Sequence, residues 1–130
     1  MRLQGRLVLG ERIAGLEQVR IIGDDGTDYL IQFPEAAHTV SPGANAEYAT
    51  DRLRLRYQSM VTPDTVYDHL FATRTLEVRK VQVIPTGYDA RRYACDRLTA
   101  TARDGTAVPV SIVYRKDLPR DGTAPLYLYG

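Results

Sequence analysis

The chain has 130 residues, and its 17 Lys and Arg against 16 Asp and Glu leave a formal net charge of only +1. That length suits one domain, and a near-neutral balance excludes a strong electrostatic field for nucleic acid or an anionic membrane surface. The single cysteine, Cys95, excludes an internal disulfide, and no Cys/His group has the spacing of zinc ligands, so we interpret Cys95 as an inert, partly buried thiol.

Apolar and polar residues alternate with period two along most of the chain, which predicts strands. In chain order, the predicted strands cover residues 6–11, 18–22, 29–33, 52–57, 65–71, 76–84, 98–103, 107–114 and 126–129. Turn-forming residues separate them at 24–26, 41–45, 104–105 and 121–122. Short strands at this spacing predict a mostly β sandwich, barrel or propeller, and two blade-like units fit before residue 85.

Three local patterns sharpen this prediction. Asp104-Gly105 is typical of a two-residue type I′ hairpin turn, and Pro109, which lacks an amide proton, places its strand at an edge or a bulge. The alternation breaks between residues 84 and 96, where Asp89 is expected to cap one helical turn that runs to Tyr93. We interpret this stretch as a connection between domains.

Two groups of charged residues are interpreted as structural and not as ligand-binding sites. Arg52, Arg54 and Arg56 share one strand face, which favours a solvated or ion-paired surface over a phosphate or acidic-peptide site. The acidic group at 24, 25 and 28 lacks the spacing of a calcium loop and is interpreted as a hairpin turn.

Two parts of the chain resemble one family. Residues 102–105, 108–111, 114–116 and 125–130 are similar to the start of the peptidase domain in prolyl oligopeptidase-type serine peptidases. Residues 57–68, Tyr-Gln-Ser-Met-Val-Thr-Pro-Asp-Thr-Val-Tyr-Asp, resemble the last propeller blade of that family, above all its oligopeptidase B branch. Both matches lie in the family's order and spacing.

The resemblance implies a mostly β fold with the last blade or blades of a seven-bladed β-propeller, followed by the first antiparallel strands of an α/β-hydrolase domain. It places the propeller at residues 1–83, the connection at 84–96 and the hydrolase strands at 97–130. An apolar strand at 126–129 with nothing after it adds the expectation that the fold continues beyond Gly130. The family usually has a Thr-Gly-type turn near residues 72–74, so an irregular hairpin is expected there.

Serine hydrolysis needs a nucleophile, a base and an orienting acid, and this chain does not assemble them. It offers Ser41 in a turn, Ser59 in a bend, Ser111 on a strand, His38 in a loop and His69 on a strand, with no G-x-S-x-G elbow. We interpret all five as structural or surface residues.

The resemblance implies that the Ser, Asp and His of the triad, and the oxyanion tyrosine, lie beyond Gly130, since Tyr129-Gly130 matches only the first half of the family's Tyr-Gly-Tyr-Gly segment. No catalytic residue, cofactor or metal site is therefore assigned to this chain, which alone should be inactive. The implied enzyme is a cytoplasmic or periplasmic serine endopeptidase that hydrolyses short peptides after Arg or Lys. Unpaired strand edges also predict that the isolated chain self-associates.

Two alternatives stay open. The chain is a free-standing, non-catalytic β-rich binding or interaction module if its strands close one core. It belongs instead to a prolyl-specific relative if the downstream specificity pocket is of that type.

Overall fold

Two four-stranded antiparallel sheets and one hairpin make up the fold. The computed structural model describes residues 1–129, and Gly130 lies outside them. The first sheet contains β1 (Arg2–Leu3), β2 (Arg6–Ile13), β3 (Leu16–Gly23) and β4 (Asp28–Leu30). The second sheet contains β5 (His38–Pro42), β6 (Arg52–Ser59), β7 (Thr65–Leu70) and β8 (Thr75–Val81). After a single 3-10 turn at Ala90–Arg92, the C-terminal hairpin pairs β9 (Tyr93–Thr101) with β10 (Ala107–Arg115).

Each four-stranded sheet keeps its strands in chain order, as a propeller blade does. The predicted mostly β, antiparallel architecture is therefore confirmed, and so is the fit of two four-stranded units before residue 85. The capping role of Asp89 is also confirmed, because its carboxylate accepts the Arg91 amide at 3.1 Å.

The core lies between the two sheets. Alternation on β6 turns Leu53, Leu55 and Tyr57 inward, where they are at most 1% exposed, and the first sheet contributes Val19 and Ile21 to the same cluster. Burial of a side chain such as Leu55 contributes roughly 1.5–3 kcal/mol. The sheets therefore stack face to face, and the opposite face of β6 carries the three arginines.

A tight turn at Ala14-Gly15 joins β2 to β3. Both residues have positive φ, 49° and 80°, as a type I′ turn requires. Glycine adopts this conformation freely, whereas the Cβ of Ala14 is strained by about 1–2 kcal/mol. The sequence analysis did not single out this turn.

Replacing Ala14 with Gly should raise the free energy of unfolding by about 0.5 kcal/mol, because relief of the left-handed strain exceeds the entropy that glycine adds to the unfolded chain. Urea denaturation measures the change. Ala72→Gly is the matched control, since Ala72 lies in another hairpin turn without positive φ and should lose roughly 0.4–1 kcal/mol. A loss of stability in both variants would contradict the strain argument.

The hairpin turn at 102–106 is not the predicted type I′ turn. Only Gly105 has positive φ, +85°, and its amide donates to the Ala102 carbonyl at 2.9 Å. This is a type I turn followed by a left-handed glycine. The Asp104 carboxylate accepts the Thr106 amide at 3.0 Å, which stabilises the longer loop.

Strand β5 corrects two predictions. His38 and Ser41, placed in a loop and a turn by the sequence analysis, both lie on this strand. Its partner β6 imposes the extended backbone, with Val40 opposite Tyr57, and Pro42 is tolerated because it ends an edge strand. The short strand β1 was not predicted either.

Other strand ends differ from the alternation pattern. Strand β4 stops at Leu30 instead of residue 33, the residue that directly precedes Pro34. Strand β8 stops at Val81 instead of residue 84. Strand β9 begins at Tyr93, immediately after the 3-10 turn, and not at residue 98. The hairpin turn near 72–74, expected to be irregular, holds Arg74 at a positive φ of 57°. A bulge interrupts the β7–β8 pairing at its other end, at Val66/Tyr67.

The predicted strand at 126–129 is wrong within the described residues. These side chains are 77–86% exposed and the segment pairs with no other strand there. A strand needs a hydrogen-bonding edge beside it, which alternation alone does not supply. Pro109 agrees with its prediction, because β10 belongs to a two-stranded sheet and is an edge strand.

Candidate functional site

The loops at one end of both sheets meet the connection and the C-terminal hairpin; we call this the loop end. It comprises residues 14–15, 31–37, 60–64 and 82–92. The Tyr88 hydroxyl donates to the Val61 carbonyl at 2.6 Å, and the Cys95 thiol lies 3.8 Å from the Ala37 carbonyl. These contacts fix the connection against the loops of the second sheet.

Glu35 is the central polar residue of the loop end. Its two carboxylate oxygens accept hydrogen bonds from the hydroxyl groups of Tyr57 and Thr62, which lie on β6 and on the loop after it. Burial and the hydrogen bond to this carboxylate raise the pKa of Tyr57 far above its ordinary value, so the phenol stays a donor. Burial, and then the charge of Glu35, also raise the pKa of Tyr67.

Beside Glu35 a cleft of about 470 Å³ separates the sheets' loops from the start of the hairpin. We call it the Glu35 cleft and define it by Glu35, Val61, Tyr93, Cys95, Asp96 and Lys116, all of which line it. Cys95 is only 8% exposed, as predicted for a partly buried thiol. The cleft combines apolar walls with both signs of charge.

A second polar group lies on the outer face of the second sheet. Asp68 on β7 is only 1% exposed and accepts two hydrogen bonds from Arg54, at 2.8 and 3.0 Å. Arg79 and Arg52 lie 3.5 and 3.8 Å from the same carboxylate, and Arg56 pairs with Asp64. The predicted ion-paired interpretation of the arginine row is therefore confirmed.

His69 joins the two sheets inside the core. It is fully buried, and its Nε2 lies 2.9 Å from the hydroxyl of Tyr29 on β4 of the first sheet. Its Nδ1 has no hydrogen-bond partner within the described residues. Burial, followed by the charge of Arg74, lowers the pKa of His69 to about 4.

The stability of the chain should fall as pH drops from about 6.5 toward 4. In that window the unfolded chain protonates His69 and the folded chain does not, so acid favours unfolding by at most about 3 kcal/mol. Urea denaturation at pH 7, 6, 5 and 4.5 measures the slope. His69→Gln removes this titration and should flatten the profile; an unchanged slope in that variant would contradict the assignment.

The serines and histidines considered for catalysis are not brought together. The Ser59 hydroxyl accepts the amides of Val61 and Thr62 at 3.0 and 2.7 Å, which makes it a bend residue. His38 Nδ1 contacts the Glu35 carbonyl at 2.9 Å. Across residues 1–129, no serine is hydrogen-bonded to a histidine.

Ser41 and Ser111, the other two candidate serines, lie on β5 and β10 respectively. Among the described residues no group of three or more His, Cys, Asp or Glu is placed to hold a metal ion. In the same part of the chain, no helix has the length and apolar character to cross a membrane.

Sequence reasoning missed Glu35 and Asp68. Glu35 sits in a segment without periodicity, and its partners are 22 and 27 residues away. For Asp68 a signal existed, since pairing β6 with β7 places it directly opposite Arg54.

Two stacked, four-stranded sheets with strands in chain order have the architecture of neighbouring blades of a β-propeller protein. A family model described as "Prolyl oligopeptidase, N-terminal beta-propeller domain" matches residues 2–82. The chain therefore belongs to the prolyl oligopeptidase family, peptidases of family S9, and carries part of its N-terminal propeller domain.

Individual relatives are similar over nearly the whole chain. Dipeptidyl aminopeptidase BI of Pseudoxanthomonas mexicana is 45% identical over 97% of this chain, and Protease 2 of Moraxella lacunata is 30% identical over 96%. Oligopeptidase B from Trypanosoma brucei with covalently bound antipain superposes on 92% of the chain with a TM-score of 0.74 and 31% identity. The chain spans 18% of the length of each of these proteins.

Proposed function

We propose that residues 1–130 form part of a longer serine oligopeptidase. Residues 1–83 contribute propeller blades, 84–96 connect the domains, and 97–130 begin the α/β-hydrolase domain. The observation that carries this proposal is the succession of two blade-like sheets, a capped connection at Asp89 and a separate hairpin. The end of the family match at residue 82 agrees with the proposed boundary.

The catalytic machinery is proposed to lie outside this chain. Within residues 1–129 the candidate serines bond to backbone amides or lie on strands, so no nucleophile is activated there. The proposed triad and oxyanion tyrosine follow Gly130, a residue outside the described part of the structure. The isolated chain is accordingly proposed to be inactive.

For the whole enzyme we propose cleavage of short peptides after Arg or Lys. The similarity to oligopeptidase B from Trypanosoma brucei supports this specificity. The greater identity to a protein named dipeptidyl aminopeptidase BI favours a second candidate, removal of dipeptides from free amino ends. The two activities differ in whether the substrate's amino terminus must be free.

One pair of substrates separates these candidates. A full-length enzyme that contains this chain is assayed on an Arg-Arg fluorogenic amide with a blocked or a free amino terminus. Hydrolysis of the blocked substrate supports the endopeptidase, and hydrolysis of only the free one supports the aminopeptidase. Activity on neither, or turnover by the 130-residue chain that a serine inhibitor stops, would overturn the proposal.

We also propose that the isolated chain self-associates. The hairpin offers two unpaired strand edges among the described residues, and such edges template strand addition. Size-exclusion chromatography over a concentration series tests association, and a monomer at all concentrations would contradict it.

The whole enzyme is proposed to be cytoplasmic or periplasmic. Cell fractionation tests this location, and a membrane-bound or secreted enzyme would contradict it.

A further inference from the structure

Two arginines lie across the boundary between the sheets. The guanidinium carbon of Arg6, at the start of β2, is 4.3 Å from the ring centroid of Phe71, directly after β7. That of Arg74, in the turn before β8, is 4.5 Å from the ring centroid of Tyr29 on β4. Each sheet therefore places one cation on an aromatic ring of the other, which attracts the two sheets. We call these four residues and His69 the inter-sheet clasp.

His69 packs against both rings of the clasp. Its ring centroid is 5.8 Å from that of Tyr29 and 5.9 Å from that of Phe71. The Tyr29 hydroxyl bonds to its Nε2, and its Nδ1 has no partner within residues 1–129. Protonation makes both ring nitrogens of a histidine donors. In the closed clasp the Nδ1 donor would therefore have no acceptor among the described residues, inside a side chain with no exposed surface.

The second sheet offers the histidine no counter-charge. The residues opposite His69 are Leu53 on β6 and Leu76 on β8, which are both apolar. The acidic residues of the neighbouring elements lie on the outer face or are already paired with arginine; they are Asp51, Asp68 and Glu77. An added proton on His69 would therefore stay unbalanced on this side.

The first sheet offers none either. Asp28, beside Tyr29, bonds to Arg20 at 2.9 Å, and Asp25 accepts a backbone amide of its own turn at 2.9 Å. The charged groups on the rings of the clasp are its two arginines, and two cations oppose a third more strongly in a buried boundary than in water. Burial disfavours the charged imidazole in the same direction and lowers the pKa of His69.

Strand β4 is the part of the clasp that opens most easily. It has only three residues and is the edge strand of the first sheet, so it pairs with β3 alone. Short elements with few partners open locally at a smaller free-energy cost than the core does.

We propose that the inter-sheet clasp is an acid-sensitive device, which opens by release of β4 when His69 takes up a proton. Opening lets water solvate the imidazolium and accept a hydrogen bond from Nδ1. Because the chain runs from β4 directly into the loop that carries Glu35, opening also loosens the loop end. The device lies within residues 6–74 and involves no hydrolysis, so it does not depend on the proposed peptidase activity.

Hydrogen–deuterium exchange of the 130-residue chain, measured by mass spectrometry at pH 7, 6, 5 and 4.5, tests the clasp. His69 titrates at about 6.5 when exposed, and burial lowers its pKa to about 4 in the closed state. Linkage then raises the open fraction roughly fiftyfold from pH 7 to 4.5. After correction for intrinsic exchange, peptides from β4 should lose protection by that factor, whereas peptides from the β9–β10 hairpin should change less than about threefold.

Urea separates release of β4 from global unfolding. Release of three residues exposes little surface, so 1 M urea should leave the protection of β4 nearly unchanged. Amides of β6, which open only with the core, should lose protection about fivefold or more. Equal protection and an equal urea response of β4 and β6 would mean that β4 opens only by global unfolding, and would overturn the proposal.

Two variants test the role of charge. His69→Gln removes the titrating group and should abolish the pH response of β4. Arg74→Gln removes one opposing cation and should reduce that response at least about twofold. Arg56→Gln is the matched control, because Arg56 lies on the outer face and pairs with Asp64. An unchanged response in His69→Gln would overturn the proposal; if that variant misfolds, equal responses in Arg74→Gln and Arg56→Gln would do so.

Discussion

Asp68→Ala should lower the free energy of unfolding by about 3 kcal/mol at pH 7. Asp68 is almost completely buried and receives two hydrogen bonds from Arg54, with Arg79 and Arg52 nearby. Removing one partner of a buried ion pair costs about 3–5 kcal/mol when the other charge stays buried. We expect the lower end, because Arg54 is 45% exposed and can turn toward water.

The matched control is Asp64→Ala. Asp64 also pairs with one arginine, Arg56, but that guanidinium is 62% exposed, and such pairs contribute about 0–1 kcal/mol. Urea denaturation of both variants measures the contrast. Equal losses would show that burial of the Asp68 carboxylate does not matter to its contribution.

Acid gives an independent test of the same carboxylate. Hydrogen bonds from Arg54 hold the pKa of Asp68 below its ordinary value, so its stabilising contribution is present above about pH 4. That contribution is lost as pH falls through the folded-state pKa. The difference between the unsubstituted chain and Asp68→Ala should therefore shrink below pH 4.

Alternation predicted the sheets best where one strand face is buried. On β6 the side chains of Leu53, Leu55 and Tyr57 alternate with arginines, and the structure extends the predicted strand by only two residues. The same rule failed for residues 126–129, where apolar alternation is present but no paired strand forms within the described residues. The local pattern indicates that a segment prefers an extended conformation. Whether the segment becomes a strand depends on its pairing with the edge of a neighbouring strand.

Edge strands and loops were harder to predict because their structure comes from distant residues. Strand β5 contains Ser41 and Pro42, which read locally as a turn, yet β6 pairs with it along its whole length. The bonds of Glu35 to Tyr57 and Thr62 bring together three segments that no short window includes. The arginine row was predictable as ion-paired, but its shared partner Asp68 depends on the β6–β7 register.

The family resemblance and the residue patterns contributed different things. The resemblance in residues 57–68 predicted a propeller, and the matched family model and two blade-like sheets confirm it. The domain boundaries, the location of the triad and the specificity stay predictions.

Leu55→Ala is expected to destabilise the chain by about 2–5 kcal/mol. Leu55 has no exposed surface and lies in the core shared by both sheets, so its truncation leaves a cavity that neighbours on two sheets must close. In the β6–β7 register it faces Tyr67, which packs partly buried against that core. Chemical denaturation monitored by tyrosine fluorescence and by far-UV circular dichroism measures the loss.

Leu98→Ala is the control because it makes the same truncation on β9, where the side chain is 50% exposed; we expect a change within about 0.5 kcal/mol. If the two stacked sheets unfold as one unit, Leu55→Ala should shift the curves from both probes equally, because the inner faces of both sheets share one core. Curves that separate in the variant would mean that one sheet stays folded alone, and a loss below 1 kcal/mol would contradict the shared core.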